Sequence, residues 1–260
     1  MAAGQAQHLF AQQPDLGPVT ICDIAGRPRW QPLWAGNPAI RVPTFTPQGP
    51  TIRTGGGCLP YLKYPYDVET GWQFTDWKAR DHRGSIYLTE AESVMALSLV
   101  QKIGPYILVE PPGSDRKNPN RSWPIASWRA FVRLLQSSQS LPVIQLDHPT
   151  ADRLPGVTLI QHDDFRQACA ILSMATFAVL PEGGLAHAAA ALSVPAVVMF
   201  GGCISVDALG YPEHVNLEYF HPRTPCGSLK PCVHCAEGWA KLTPDIVMEA
   251  LKDVPAKVAA

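Results

Sequence analysis

The sequence predicts an α/β fold built on parallel sheet, and three stretches carry that expectation. Residues 170–202, AILSMATFAVLPEGGLAHAAAALSVPAVVMFGG, read as helix, buried strand, glycine turn, alanine-rich helix and buried strand. Residues 106–110, YILVE, form a second apolar run that opens through a loop into a helical stretch at 125–135. Residues 143–146 supply a further strand. Apolar runs without a polar face suit strands covered on both sides. Strands that alternate with helices pair in parallel, because the helical crossover returns the chain to the same end of the sheet.

The elements follow in chain order. Residues 1–14 read as an amphipathic helix, Gln-rich and without the basic start or apolar core of a signal peptide. VTICDI at 19–24 is a strand. Many of the 26 prolines fall between Pro28 and Pro65, which predicts long ordered loops. Residues 85–88 are expected to form a strand. Thr89-Glu90-Ala91-Glu92 is a capping box that opens a helix to about residue 103. Gly104-Pro105 divides a first domain, 1–104, from a second, 105–260. In the second, 177–180 is a strand, Pro181-Glu182-Gly183-Gly184 a tight turn and 185–192 a helix by its Ala and Leu content. Ser193-Val194-Pro195 stops that helix before a strand at 196–200. Thr243 caps a last helix with Pro244 at its first position, and the tail beyond 251 is expected to fray.

Composition narrows the function classes. A chain of 260 residues can bury a sizeable core. With 46% hydrophobic and 17% charged residues it is not a disordered chain. A net charge of −1 argues against a general nucleic-acid binder, though not against a local basic patch. No apolar run approaches the ~18 residues of a membrane span. The expected location is cytoplasmic, with peripheral contact at the inner membrane face as an option.

The chemistry concentrates at two strand ends. Ligands of open α/β sheets bind at the carboxyl ends of strands. Gly183 and Gly184 open a helix there, so backbone N–H groups and the helix dipole can receive an anion. Glu182 and His187 flank the spot. The loop after 106–110 carries Arg116, Lys117 and Arg121 ahead of Trp123-Pro124. Facing the glycine turn, these cations would neutralise a diphosphate; the alternative is a solvated basic loop. A second constellation is Cys226, Cys232 and Cys235, with Cys232-x2-Cys235 at metal-knuckle spacing. His221 and His234 are the local choices for a fourth ligand. A disulfide or free thiols are the alternatives to metal. Cys22, Cys58, Cys169 and Cys203 read as ordinary small apolar residues.

In their order and spacing these motifs resemble glycosyltransferase family 9, heptosyltransferase-like enzymes of the GT-B fold. The carriers are P-G-S at 112–114, the basic residue before Trp-Pro, the acid-x-Gly turn with its His and the strand ending in Phe-Gly. Pro181 to His187, the C-G-S-L-x-P-C-x-H-C run at 226–235 and W-x-G-N-P at 34–38 resemble a less characterised branch of that family. The resemblance implies two Rossmann-like domains with parallel sheets, the second holding a nucleotide-diphosphate sugar, with an ADP-sugar as the first expectation. It implies that Arg121 contacts the donor phosphate and sugar, and Lys117 of the same basic loop is a further candidate for the diphosphate. Glu182 would hydrogen-bond the donor sugar, and Gly183 and Gly184 would cradle the phosphates. His187 matches the family's turn histidine, or is a structural residue. Asp147 would stand near the nucleotide ribose. Position 183 is Thr in the better-known members, so one hydroxyl contact is missing. In this fold a terminal helix often packs back on the first domain. A related iron-binding branch, which glycosylates proteins, has clustered cysteines at a different spacing, so zinc or iron in a structural site is expected here.

One departure matters for the reaction. Family members begin with a strand and a Gly-Asp loop that carries the presumed catalytic base, whereas this chain opens on what looks like the following helix. The first sheet is therefore expected to lack its first strand, and no base is evident. Asp23 and Glu110, both at strand ends, are weak substitutes; a turn cap and a structural carboxylate are their plainer readings. Tyr61, Tyr64, Tyr66, Trp72, Phe74 and Trp77, with Lys63, Lys78, Arg80 and Arg83, could stack on an acceptor or simply cover a core under a long loop. Glycan, lipid-linked glycan, protein and modified nucleobase acceptors all stay open. The rival to sugar transfer is a catalytically decayed nucleotide-sugar-binding or scaffold protein on the same fold.

Overall fold

The computed structural model describes residues 2–23, 25–53, 83–111, 118–228, 230–255 and 257, with the backbone alone at 62–63 and 73–74. Helix α1 (Ala2–Gln12) precedes β1 (Thr20–Cys22), which pairs in parallel with β2 (Thr51–Arg53). Ala6, Val19, Ile21 and Ile40 form the small core beneath them. Next come a short antiparallel pair, β3 (Leu62–Lys63) and β4 (Gln73–Phe74), and helix α2 (Glu90–Val100). The expected capping box starts α2: Glu92 N–H donates to the Thr89 hydroxyl, and Thr89 N–H to the Glu92 carboxylate at 2.7 Å.

The remaining elements build one α/β layer structure. In chain order they are β5 (Ile107–Val109), α3 (Ile125–Ser138), β6 (Val143–Asp147), β7 (Thr158–Gln161), α4 (Phe165–Met174), β8 (Phe177–Pro181), α5 (Gly184–Ala191), β9 (Ala196–Phe200), α6 (Val206–Leu209), β10 (Val215–Glu218), α7 (Val233–Lys241) and α8 (Pro244–Ala250). Six of these strands form a parallel sheet in the order β10-β9-β8-β5-β6-β7. The pleat sends alternate side chains to opposite faces. Leu108, Ile144, Leu180 and Val198 join one core with α2, α4 and α5. Ile107, Val109, Val179 and Met199 join the other with α3, α7 and α8. Helix α3 buries Trp128, Phe131, Val132 and Leu135, a stripe at helical spacing.

Two sequence expectations change. Residues 85–88 form no strand: their backbone groups are taken by side chains, Ser85 N–H by Gln7, Ser85 O by Asn37 and Tyr87 O by Arg166. The last helix, capped by Thr243 as expected, packs Val247 and Ala250 into the core beside α3 rather than back on the first domain. Helix α2 lies against α4 and contributes Ala96 and Val100 to the core of the large sheet. The aromatic stretch 61–77, with Lys78 and Arg80, lies outside the residues whose side chains are described.

Candidate functional site

The strand order reverses at β5. From β5 the chain winds outward through β6 and β7, then crosses to β8 on the other side and winds on through β9 and β10. The switch point therefore lies between β5 and β8, and open α/β sheets take their ligands in a crevice at such a point. Arg121 comes from the loop after β5, and Glu182 follows β8 directly. The structure joins them: Arg121 Nε and Nη2 donate to the two oxygens of Glu182 in a bidentate fork. Glu182 is buried and the Arg121 side chain is about a quarter exposed. Gly183 then caps α5 with extended backbone and no side-chain cap, so no capping side chain covers the first N–H groups of α5 at this end of β8.

The turn that presents Arg121 is anchored from several sides. Pro119, Asn120 and Arg121 form a single 3-10 turn. Trp239 Nε1–H donates to the Asn120 carbonyl at 2.9 Å, and Trp123 Nε1–H to Leu242 O at 2.7 Å. The Asn120 amide donates to Ser228 O and Lys230 O at 2.8 and 2.7 Å and accepts from Cys232 N–H at 2.8 Å. Trp239 can lie this close only because residue 201 is glycine: a Cβ there would sit 1.9 Å from the indole.

His187, one turn into α5, has Nδ1 2.9 Å from the Tyr211 hydroxyl. Burial pushes its pKa down to about 4, so the imidazole is neutral at pH 7. It lines a cavity of about 100 Å³ with Ala3, Trp34, Gly84, Phe165 and Tyr211, between the N-terminal segment and α5.

The other expected residues fall elsewhere. Lys117, with Arg116, lies outside the described residues. Asp147 ends β6, beyond β5 from β8, and pairs with Arg153 at 3.1 and 3.0 Å. Asp23 serves its own turn, accepting from the N–H groups of Ala25 and Arg27 and from Arg27 Nε, all within 2.9 Å. The Arg27 amide, before other causes, holds its carboxyl below the ordinary value. Glu110 stands at the carboxyl end of β5, its N–H bonded to Val179 O.

The cysteine segment does assemble. The Sγ atoms of Cys226, Cys232 and Cys235 lie within 4.8 Å of one another, a group able to hold a metal ion. Cys226 and Cys235 are 3.1 Å apart, sulfur to sulfur, and the thiols are free. His221 is not in that group: its ring lies over His234, centroids 4.5 Å apart, and its Nδ1 accepts from Arg223 N–H. Cys203, taken from the sequence for an apolar filler, lies beside Cys226. Its position just after β9, at the sheet edge that carries the site, was the available signal.

No curated protein matches the chain. Among solved structures, the Escherichia coli ADP-heptose LPS heptosyltransferase II superposes with a TM-score of 0.50 at 16% identity, over 65% of this chain and 52% of that one. A family 9 glycosyltransferase from Veillonella parvula gives 0.53 at 13% identity, again over 65% and 52%. The dodecameric iron-containing heptosyltransferase TibC, in complex with ADP-D-beta-D-heptose, gives 0.52 at 12% identity over 92% and 77%. At such identities the likeness is one of fold, and the chain spans about half the length of the first two. No helix among the described residues is long and apolar enough to cross a membrane. The family model of glycosyltransferase family 9 (heptosyltransferase) matches residues 71–206, just over half of the chain, which therefore belongs to that family.

Proposed function

We propose that the crevice between β5 and β8 holds the diphosphate of a nucleotide sugar and that the chain takes part in sugar transfer to a hydroxyl acceptor. The observation that carries this reading is the Arg121–Glu182 fork beside the N-terminus of α5. The Arg121 guanidinium, with the α5 amides and Lys117, would stabilise negative charge as it builds on the leaving diphosphate. Glu182 then acts first as a positioning residue that fixes the guanidinium plane, and its contact with the donor sugar comes second. Neutral His187 would serve as a hydrogen-bonding wall rather than a cation. ADP is the favoured nucleotide, since heptosyltransferases of this fold are described with ADP-heptose.

The acceptor hydroxyl needs a base. Asp23 is committed to its turn, which favours a binding-only role as the second reading. The cysteine cluster fits a structural zinc or iron site, and TibC is described as iron-containing. Calorimetric titration with ADP, UDP and GDP tests the donor site; heat of binding for one of them is expected, and none for all three would sink the reading. Binding without release of the sugar from a matching donor would favour the second.

A further inference from the structure

Cys203 is the sulfur that the metal cluster leaves unassigned. It follows β9 after Gly201-Gly202 and is 3% exposed. Two backbone hydrogen bonds zip its segment to that of Cys226, from Cys226 N–H to Gly202 O at 3.1 Å and from Gly227 N–H to Cys203 O at 3.0 Å. The two thiols are electrostatic neighbours. Both sulfurs touch Ser228: Cys203 Sγ lies 3.8 Å from its carbonyl, and its N–H donates to Cys226 Sγ at 3.5 Å. Cys203 Sγ lies outside the 4.8 Å group of the other three sulfurs, and the zipped backbone and Ser228 bring it next to that group from the end of β9.

We infer that Cys203, Cys226, Cys232 and Cys235 form a tetrathiolate site for one zinc or ferrous ion, with Cys203 rather than His221 as the fourth ligand. This deepens the structural-metal reading and rests on it; it does not depend on the donor site.

The geometry suits such an ion. Four sulfurs about 2.3 Å from a tetrahedral centre stand about 3.8 Å from one another. The three clustered sulfurs span up to 4.8 Å, and the 3.1 Å pair needs to open by well under 1 Å. A tetrathiolate also wants N–H donors to spread its charge. Ser228 N–H supplies one to Cys226, aimed by Gly227 at φ +61°, a conformation that favours glycine. The Asn118 amide supplies another to Cys203 at 3.5 Å. On binding, each thiol gives up its proton to solvent and its lone pair to the ion, with no change of oxidation state. Cys203 and Cys235 are buried, so the shell is closed, as in structural rather than catalytic sites.

The placement has a consequence for the crevice. Asn118 bonds Cys203 Sγ and Ser228 O, and Asn120 bonds Ser228 O, Lys230 O and Cys232 N–H. A metal that locks 203 to 226–235 therefore also locks the turn that presents Arg121.

The test uses the full chain purified in reducing buffer without chelator, then loaded with Zn2+ or Co2+ alone. X-ray absorption of the zinc form is expected to give four sulfurs at about 2.3 Å. In the cobalt form, Cys203→Ser is expected to lose about a quarter of the sulfur-to-metal charge-transfer intensity, while His221→Ala matches wild type. Three sulfurs and one nitrogen, or a cobalt spectrum that changes with His221→Ala and not with Cys203→Ser, overturns Cys203 as the ligand and leaves the metal site standing. No stoichiometric metal overturns both. Should Cys203→Ser fail to fold, the wild-type sulfur count decides alone.

Discussion

Substitution of Glu182 separates positioning from sugar contact. The Glu182 side chain is 2% exposed and both its oxygens are taken by Arg121. A carboxylate used only for the donor sugar would leave nucleoside diphosphate affinity untouched when changed to Gln. A carboxylate that holds the guanidinium in plane would not: Gln offers one acceptor for the fork, and Arg121 loses its fixed orientation. A charged hydrogen bond is worth about 1.5–3 kcal/mol, so Arg121→Ala should weaken ADP by about 10- to 150-fold. Glu182→Gln should lose a good part of that. The two losses should be less than additive, because each change disables the same group. Arg121→Ala should also destabilise the fold, since it removes the bidentate partner of a buried carboxylate. Calorimetry reads the affinities and urea unfolding the stabilities. Unchanged ADP affinity in Arg121→Ala, with wild type binding, refutes the placement of the diphosphate; unchanged affinity in Glu182→Gln alone returns Glu182 to a sugar contact.

Other consequences can be checked separately. Gly201→Ala should cost about 1–3 kcal/mol by overpacking against Trp239 and should weaken ADP as well, through the Trp239–Asn120 hydrogen bond; a neutral effect on urea midpoint contradicts the packing. Burial lowers His187 and His214 to about 4, below the ~6.5 of an unfolded chain, so the unfolded state takes up protons first as pH falls. Stability is therefore full above pH 6.5 and declines toward pH 4, by up to about 3 kcal/mol per histidine. His214→Phe should flatten that decline, and an identical pH profile would count against it. Cys232→Ser should release the metal, read by elemental analysis, and lower the melting temperature; full metal retention contradicts its role as a ligand.

What the sequence made legible was what local chemistry writes into it. Apolar runs, the Thr89–Glu92 box, Thr243-Pro244 and the glycine turn at 183–184 each act within a few residues, and each appears as expected. Residues 85–88 misled because their partners, Gln7, Asn37 and Arg166, are far away in the chain. Arg121 and Glu182 were both visible as candidate site residues, yet their pairing spans 61 positions and joins the loop after β5 to the end of β8. Arg166, whose fork to Glu92 ties α4 to α2 and holds the Glu92 carboxyl down to about 2, likewise finds its partner 74 positions away. Cys203 matched an apolar filler by type, and only the fold sets it beside Cys226.

The central claim is that the nucleoside diphosphate lies where the strand order reverses. Hydrogen–deuterium exchange of the full chain with and without saturating ADP tests it directly. Protection is predicted at 118–121 and at 182–187, with the β6–β7 edge unchanged. Binding that leaves both segments unprotected, or protects the Asp147–Arg153 edge instead, would contradict the account.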